Sequence, residues 1–167
     1  MIFVTVGHQM PFDRMIRLVD QWAAAHPDTD VFAQIGESPD SGYRPQHMEY
    51  QALLTRDEFD ACLERCDAVI AHAGAGTIIE ALRRNKPLLV LPRLSEHDET
   101  RNDHQVGTAR HFAEQQQLLA AFDDQELLQN IDKLVSFRPA RDIGDQASPE
   151  LLARLRAFMG AAAVGSG

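Results

Sequence analysis

Cysteine is nearly absent from this chain of 167 residues, and the two that occur, Cys62 and Cys66, stand four apart on one expected helix. A zinc site asks for more nitrogen and sulfur ligands than such a pair supplies, and a reducing compartment disfavours a disulfide. Core packing is the expected role of both. Long apolar runs are missing too: Leu88-Leu-Val-Leu91 is typical, far short of the ~20 residues a membrane helix needs. No basic leader precedes an apolar stretch, because Met1 runs directly into Ile-Phe-Val-Thr-Val, the pattern of a buried strand. A cytosolic protein is expected, or one held peripherally at the inner face of a membrane by another chain. Positive charge is scarce: 16 Lys and Arg against 25 Asp and Glu leave a formal net charge of −9, with no basic block. That argues against a nucleic-acid binder. An anionic ligand must then be held by local dipoles and a few cations. Neither a Gly-Lys-Ser/Thr phosphate loop nor the dinucleotide GxGxxG pattern occurs, and no repeat is evident.

What is present is an alternation of short apolar runs with helical periodicity. Strands are expected at residues 2–6, 31–35, 68–72 and 88–91, with a weaker one near 118–121 and a doubtful one near 48–53. Phe12, Ile16, Val19 and Ala23 mark a helix over 12–25, ended by His26-Pro27. Thr55 and Glu58 have capping-box spacing ahead of a helix carrying Phe59, Leu63 and Cys66. Further helices are expected at 76–85, 103–115 and 124–136, the last opened by Asp123 with Glu126 three residues on. Strand–helix–strand repetition predicts an α/β fold, a Rossmann-like parallel sheet with helices on both faces, over residues 1–136. Residues 137–147 read as a linker, and 148–163 as a final helix that either packs on the sheet or docks on a partner.

Ligands of such sheets sit at the carboxyl ends of the strands, so the residues following each strand carry the chemistry. The sharpest segment is His72-Ala-Gly-Ala-Gly-Thr-Ile-Ile-Glu80. Gly74 and Gly76 admit a ligand close to backbone. The helix starting near Gly76 offers free N–H groups to a phosphate, and Ala75 and Thr77 belong to the same turn. Glu80, about a turn further, can accept from ribose hydroxyls. The plain alternative is a tight turn around a buried histidine. Asn102, Asp103, His104 and Gln105 offer donors and acceptors to a sugar, or else form a solvated loop. The histidines and acids of that loop lack metal-ligand spacing, so no metal is expected. Gly7 and His8 end the first strand, and His8 is a possible general base or simply an exposed turn residue. Arg93 and Arg101 either pair with a sugar carboxylate or anchor loops. Asp28-Thr-Asp30 precedes a strand and reads as a turn.

Taken in order, Val4-Thr-Val-Gly7, Phe32-Ala-Gln-Ile-Gly36, the His72 to Glu80 segment, Lys86-Pro-Leu-Leu-Val-Leu-Pro-Arg93 and Asn102-Asp-His-Gln105 resemble the C-terminal domain of glycosyltransferase family 28. Within it the chain looks most like stand-alone catalytic subunits of two-chain transferases, the bacterial exopolysaccharide and eukaryotic asparagine-linked glycosylation types. The resemblance covers roughly residues 1–135 and implies the C-terminal half of a GT-B enzyme. It implies Gly74 to Thr77 at the donor diphosphate, Glu80 at the ribose, Gln105 with His104 at the sugar, and Gly7-His8 facing the cleft. Relatives usually carry Thr where this chain has His8, which leaves phosphate contact there open. The implied activity is inverting, metal-independent and cofactor-free transfer from a UDP-sugar to a polyprenyl-diphosphate-linked acceptor. A first strand beginning at Met1 leaves the acceptor-binding half to a membrane-anchored partner subunit. A non-catalytic nucleotide-sugar-binding subunit and a UDP-sugar epimerase are the alternatives.

Overall fold

In the computed structural model, residues 1–8, 10–37 and 42–139 are described. Gln9, most of the 137–147 linker and the expected helix over 148–163 lie outside them. Six strands alternate with five helices: β1 (Ile2–Thr5), α1 (Asp13–Ala25), β2 (Val31–Gln34), β3 (Glu49–Gln51), α2 (Arg56–Arg65), β4 (Ala68–His72), α3 (Ala75–Arg83), β5 (Leu88–Leu91), α4 (His104–Glu114), β6 (Leu119–Ala120) and α5 (Asp124–Leu134). They form one sheet in the order β3-β2-β1-β4-β5-β6, parallel throughout.

Side-chain alternation explains why the central strands read as unbroken apolar runs. Ile2, Val4, Ile70 and Leu89 pack with residues of α1 and α5 on one face. Phe3, Val69, Ala71 and Val90 pack with residues of α2, α3 and α4 on the other. A strand covered on both faces has no polar side to show. β3 is the opposite case. It pairs with β2 at the sheet edge and all three of its residues are exposed, so the run near 48–53 carried little hydrophobic signal. Capping fits the expected starts. Thr55 accepts from the Glu58 N–H while Glu58 reaches back to the Thr55 N–H at 2.8 Å, and Asp123 accepts from the Glu126 N–H.

From β1 the chain steps outward through β2 to β3, then returns by α2 to β4 on the other side of β1. The connections leaving β1 and β4 therefore diverge, which opens a crevice at their carboxyl ends. One anchor of the β2–β3 connection has no counterpart in the sequence pattern. Asp20, buried on α1, accepts from Tyr43 Oη at 2.7 Å and from the N–H groups of Gln46 (3.0 Å) and His47 (2.7 Å). Burial works to raise the Asp20 pKa, but these hydrogen bonds outweigh it and hold the carboxyl below its ordinary range. They tie the β2–β3 connection to α1.

Candidate donor site

The crevice holds a cavity of about 250 Å³. Gly7, His8 and Gln34 line it from the ends of β1 and β2, Arg56 and Phe59 from α2, and Gly76, Thr77 and Glu80 from α3. Its form follows from the turn after β4. Gly74 is the N-cap of α3 and has no side chain to cap it, so the first turn of the helix keeps uncapped N–H groups at its positive end. The glycines of the site differ in kind. A Cβ on Gly76 would meet nothing within 4 Å, so its backbone is bare toward incoming atoms. A Cβ on Gly74 would lie 2.1 Å from Nε2 of His72, and one on Gly7, where φ is +78°, would lie 2.6 Å from Cε1 of the same ring. The imidazole thus fills the space that two absent side chains leave.

That packing sets the charge of His72. Burial first, then the nearby positive charge of Arg93, push its pKa from 6.5 down to about 4, with the Thr5 backbone acting the other way. The ring is neutral in the folded protein at neutral pH, and its Nδ1 is buried without a well-formed hydrogen bond. A histidine whose folded pKa is depressed contributes stability that is complete above the unfolded pKa. That stability drains away as pH falls toward the folded value, because the unfolded chain takes the proton first. We expect a loss of roughly 3 kcal/mol between about pH 6.5 and 4. Urea melts of wild type and His72→Asn across that window should show the slope in the first and its loss in the second. An equal slope in both would assign it elsewhere. The carboxyls held low, such as Asp20 and Glu80, add their own loss only from the bottom of that window downward, as pH falls past their ordinary values.

Glu80 does not stand free. Its Oε1 accepts from Arg56 Nη2 at 3.0 Å and its Oε2 from Arg84 Nη1. Arg56 also donates to Asp60 at 2.7 Å, and Arg84 to Asp60 (2.9 Å) and Glu64 (3.0 Å). Burial would raise the Glu80 pKa, but the bonds from Arg84 and Arg56 prevail and lower it. The carboxylate is ionised and held between α2 and α3, with its remaining lone pairs open to ribose-like hydroxyls.

The polar residues after β5 bond to one another and to the β1–α1 loop. Arg93 is 5% exposed. Its guanidinium donates to the carbonyls of Pro11 (2.7 Å), Val6 (3.1 Å) and Met10 (2.6 Å) and lies 4.6 Å from the Phe12 ring centroid. Of the two roles the sequence left to Arg93, donor contact or loop anchor, the second is the one its bonds make: every donating edge used here goes to the β1–α1 loop, and the side chain is not among those lining the cavity. Asp103 accepts from Ser95 N (2.7 Å) and Ser95 Oγ (3.0 Å), and His104 Nδ1 pairs with Asn102 Oδ1, so these exposed residues bond within their own loop. Gln105 is buried and accepts from the Arg93 N–H at 3.1 Å. Arg101 is exposed. The loop is pinned by a pair the sequence did not single out: Arg14 on α1 donates to Glu99 at 2.7 and 2.9 Å, and Glu99 also accepts from the Leu94 N–H. Among the described residues no group of three or more His, Cys, Asp or Glu is placed to hold a metal ion. Gln34, Arg56 and Phe59 were likewise missed as cavity residues. Phe59 reads from sequence as core stripe and Arg56 as an ordinary first-turn residue. Gln34 alone left a trace, a polar residue closing an otherwise apolar strand.

The profile of the glycosyltransferase family 28 C-terminal domain matches residues 1–151. The UDP-N-acetylglucosamine transferase subunit ALG13 of Candida albicans is 31% identical over 70 residues, 42% of this chain and 22% of that protein. The UDP-N-acetylglucosamine–N-acetylmuramyl-(pentapeptide) pyrophosphoryl-undecaprenol N-acetylglucosamine transferase of Prochlorococcus marinus is 32% identical over 81 residues, 48% of this chain and 21% of that protein. The chain thus spans about a fifth of the length of these two relatives. The solution structure of an ALG13 shares the fold, with a TM-score of 0.62 at 21% identity over 90% of this chain and 93% of that one. With its Rossmann-like sheet and its bare glycine turn at the crevice, the chain belongs to the glycosyltransferase family 28 C-terminal domain family.

Proposed function

We propose that this chain is the donor-binding, catalytic part of a UDP-sugar glycosyltransferase, working with a second chain that binds the acceptor. The observation that carries the reading is the junction of β4 and α3: an uncapped helix N-terminus, a Gly76 with open space before it, and an ionised Glu80 one turn on. A diphosphate set against Gly76 and Thr77 meets N–H dipoles that strengthen as charge grows on the leaving group. The attached ribose reaches Glu80, which Arg56 and Arg84 hold in place. Transfer is direct and inverting: an acceptor hydroxyl attacks the anomeric carbon, UDP departs on the opposite side, and a base takes the hydroxyl proton. His8, lining the same cavity, is the base this chain offers, unless the partner supplies one. Helix N-terminus and backbone donors stand where a metal would otherwise neutralise the diphosphate, which supports a metal-independent reaction.

A polyprenyl-diphosphate-linked sugar is the proposed acceptor, as in exopolysaccharide synthesis, with the partner holding the complex at the inner face of the membrane. Support comes from the relatives, one a transferase subunit and one an enzyme whose acceptor is a pyrophosphoryl-undecaprenol. No helix among the described residues is long and apolar enough to cross a membrane. The test begins with binding. UDP or its cognate UDP-sugar at about 100 times its Kd should stabilise the fold by about 2.7 kcal/mol and raise the melting temperature by roughly 5–10 °C. Glu80→Ala should abolish that rise, and in the reconstituted two-chain complex it should cut sugar transfer at least about a hundredfold. Undiminished transfer by Glu80→Ala would remove the ribose contact and leave a non-catalytic nucleotide-sugar-binding subunit as the better reading.

A further inference from the structure

Gln34 is 2% exposed, yet its side chain lines the cavity. It stands opposite Thr5 in the parallel register of β1 and β2. The Gly7 N–H donates to Thr5 Oγ1 at 3.2 Å, and Thr5 Oγ1 donates to Gln34 Oε1 at 2.8 Å. A hydroxyl has one proton. With one of its lone pairs engaged by Gly7 and no other acceptor among the described residues taking that proton, Thr5 gives it to the amide oxygen. The carboxamide is therefore oriented with its oxygen toward Thr5 and its NH2 away from it. That NH2 has no hydrogen-bond partner among the described residues. Among the described residues the fully buried side-chain atoms without a partner are His72 Nδ1 and Gln117 Oε1; the Gln34 NH2 is not one of them and keeps an open side, at a residue that lines the cavity.

We propose that Gln34 is a nucleotide-contacting residue whose NH2, aimed by Thr5, donates to an oxygen of the bound nucleotide. The inference rests on the donor-site reading above and adds to it a contact deep in the cavity, apart from the helix N-terminus and Glu80. An NH2 recognises acceptors only, so its partner is a phosphoryl oxygen or a carbonyl of the base. Thr5 is a positioning residue that acts through Gln34.

Calorimetric titration of the full chain with UDP, uridine and inorganic pyrophosphate decides it, using wild type, Gln34→Met, Thr5→Val and the double variant. Methionine keeps the length of the side chain and removes the donor without adding charge. Gln34→Met should weaken UDP binding roughly five- to tenfold. Thr5→Val should weaken it less, and the double variant no more than Gln34→Met alone, because Thr5 acts only through the amide. Loss shared by uridine assigns the acceptor oxygen to the nucleoside; loss confined to UDP and pyrophosphate assigns it to phosphate. Either supports the proposal. Wild-type UDP affinity in a Gln34→Met protein with a native melting curve overturns it, as does strict additivity of the two substitutions. Absence of UDP binding by wild type sinks the donor site itself and this contact with it, a different result from an unaffected variant. Should Gln34→Met not fold, Gln34→Glu serves in its place. It keeps an oxygen for Thr5 and turns an acceptor toward the ligand, so undiminished UDP binding again overturns the contact.

Discussion

Arg93→Met is expected to destabilise the fold by about 3 kcal/mol, although the substitution touches no residue of the cavity. The guanidinium is a buried cation with no carboxylate bonded to it among the described residues, and burial lowers its pKa. It is held by the carbonyls of Val6, Met10 and Pro11 and by the face of Phe12. Removing it leaves three carbonyl oxygens short of a donor at roughly 1–3 kcal/mol each. Relief of the buried charge and packing of the methionine stem offset part of that. The loop that loses its anchor carries Gly7 and His8, so UDP binding should weaken as well. Arg93→Lys should rescue little, since one ammonium cannot reproduce the planar fork that spans three carbonyls. Urea melts check the first expectation, with the midpoint falling at unchanged slope. A second reading follows from the field of Arg93 on His72. Without that charge the imidazole pKa should rise toward its ordinary value, narrowing the acid-sensitive window. A variant that melts like wild type and keeps the full window would show that the loop is held by other means.

The second large effect separates packing from ligand binding at neighbouring glycines. Gly74→Ala brings a methyl group to 2.1 Å from His72 Nε2 and 2.8 Å from Cδ2. The ring is buried and also flanked by Gly7, so the turn itself must yield. A loss of roughly 2–3 kcal/mol is expected, with UDP binding abolished because the start of α3 moves. Gly76→Ala meets no neighbour and lies inside the helix, where alanine is favoured over glycine by up to about 1 kcal/mol. That protein should melt at the wild-type temperature or slightly above it. Its UDP affinity should nonetheless fall by at least roughly tenfold, since a methyl group would occupy the place of a phosphate oxygen. Melting curves and titrations on the two variants make the comparison. Unchanged UDP affinity in Gly76→Ala would move the diphosphate away from this turn.

The elements were legible wherever local chemistry fixes local geometry. Thr55 and Glu58 announce a helix start because the cap is made within four residues, and Asp123 with Glu126 repeats the device. The central strands announce themselves because coverage by helices on both faces excludes polar residues. β3 was faint because an exposed edge needs no apolar side chains. The turn from His72 to Thr77 was also visible, since glycines between a strand and a helix have few other uses. Arg93 was left between two roles for the complementary reason. In sequence it is a cation beside a polar loop, and only the approach of the β1–α1 loop from about eighty residues away turns it into a buried anchor. Asp20, Glu99 and Gln34 share that dependence, each drawing its role from partners far along the chain.

The amino-acid sequence by itself determined the order of strands and helices, the parallel α/β class and the glycine turn at the head of α3. These follow from periodicity, capping and backbone sterics, which act over a few residues. The tertiary structure decided which polar side chains meet the cavity and which are spent holding it together. Hydrogen bonds and charges act through space, and the distances that matter exist only once β1, β2, β4 and β5 are side by side. Gln34 and Arg93 are polar residues near strand ends, and Glu80 is a polar residue on α3. Folding leaves Glu80 clamped at the cavity, turns the Gln34 amide into it, and takes Arg93 out of it.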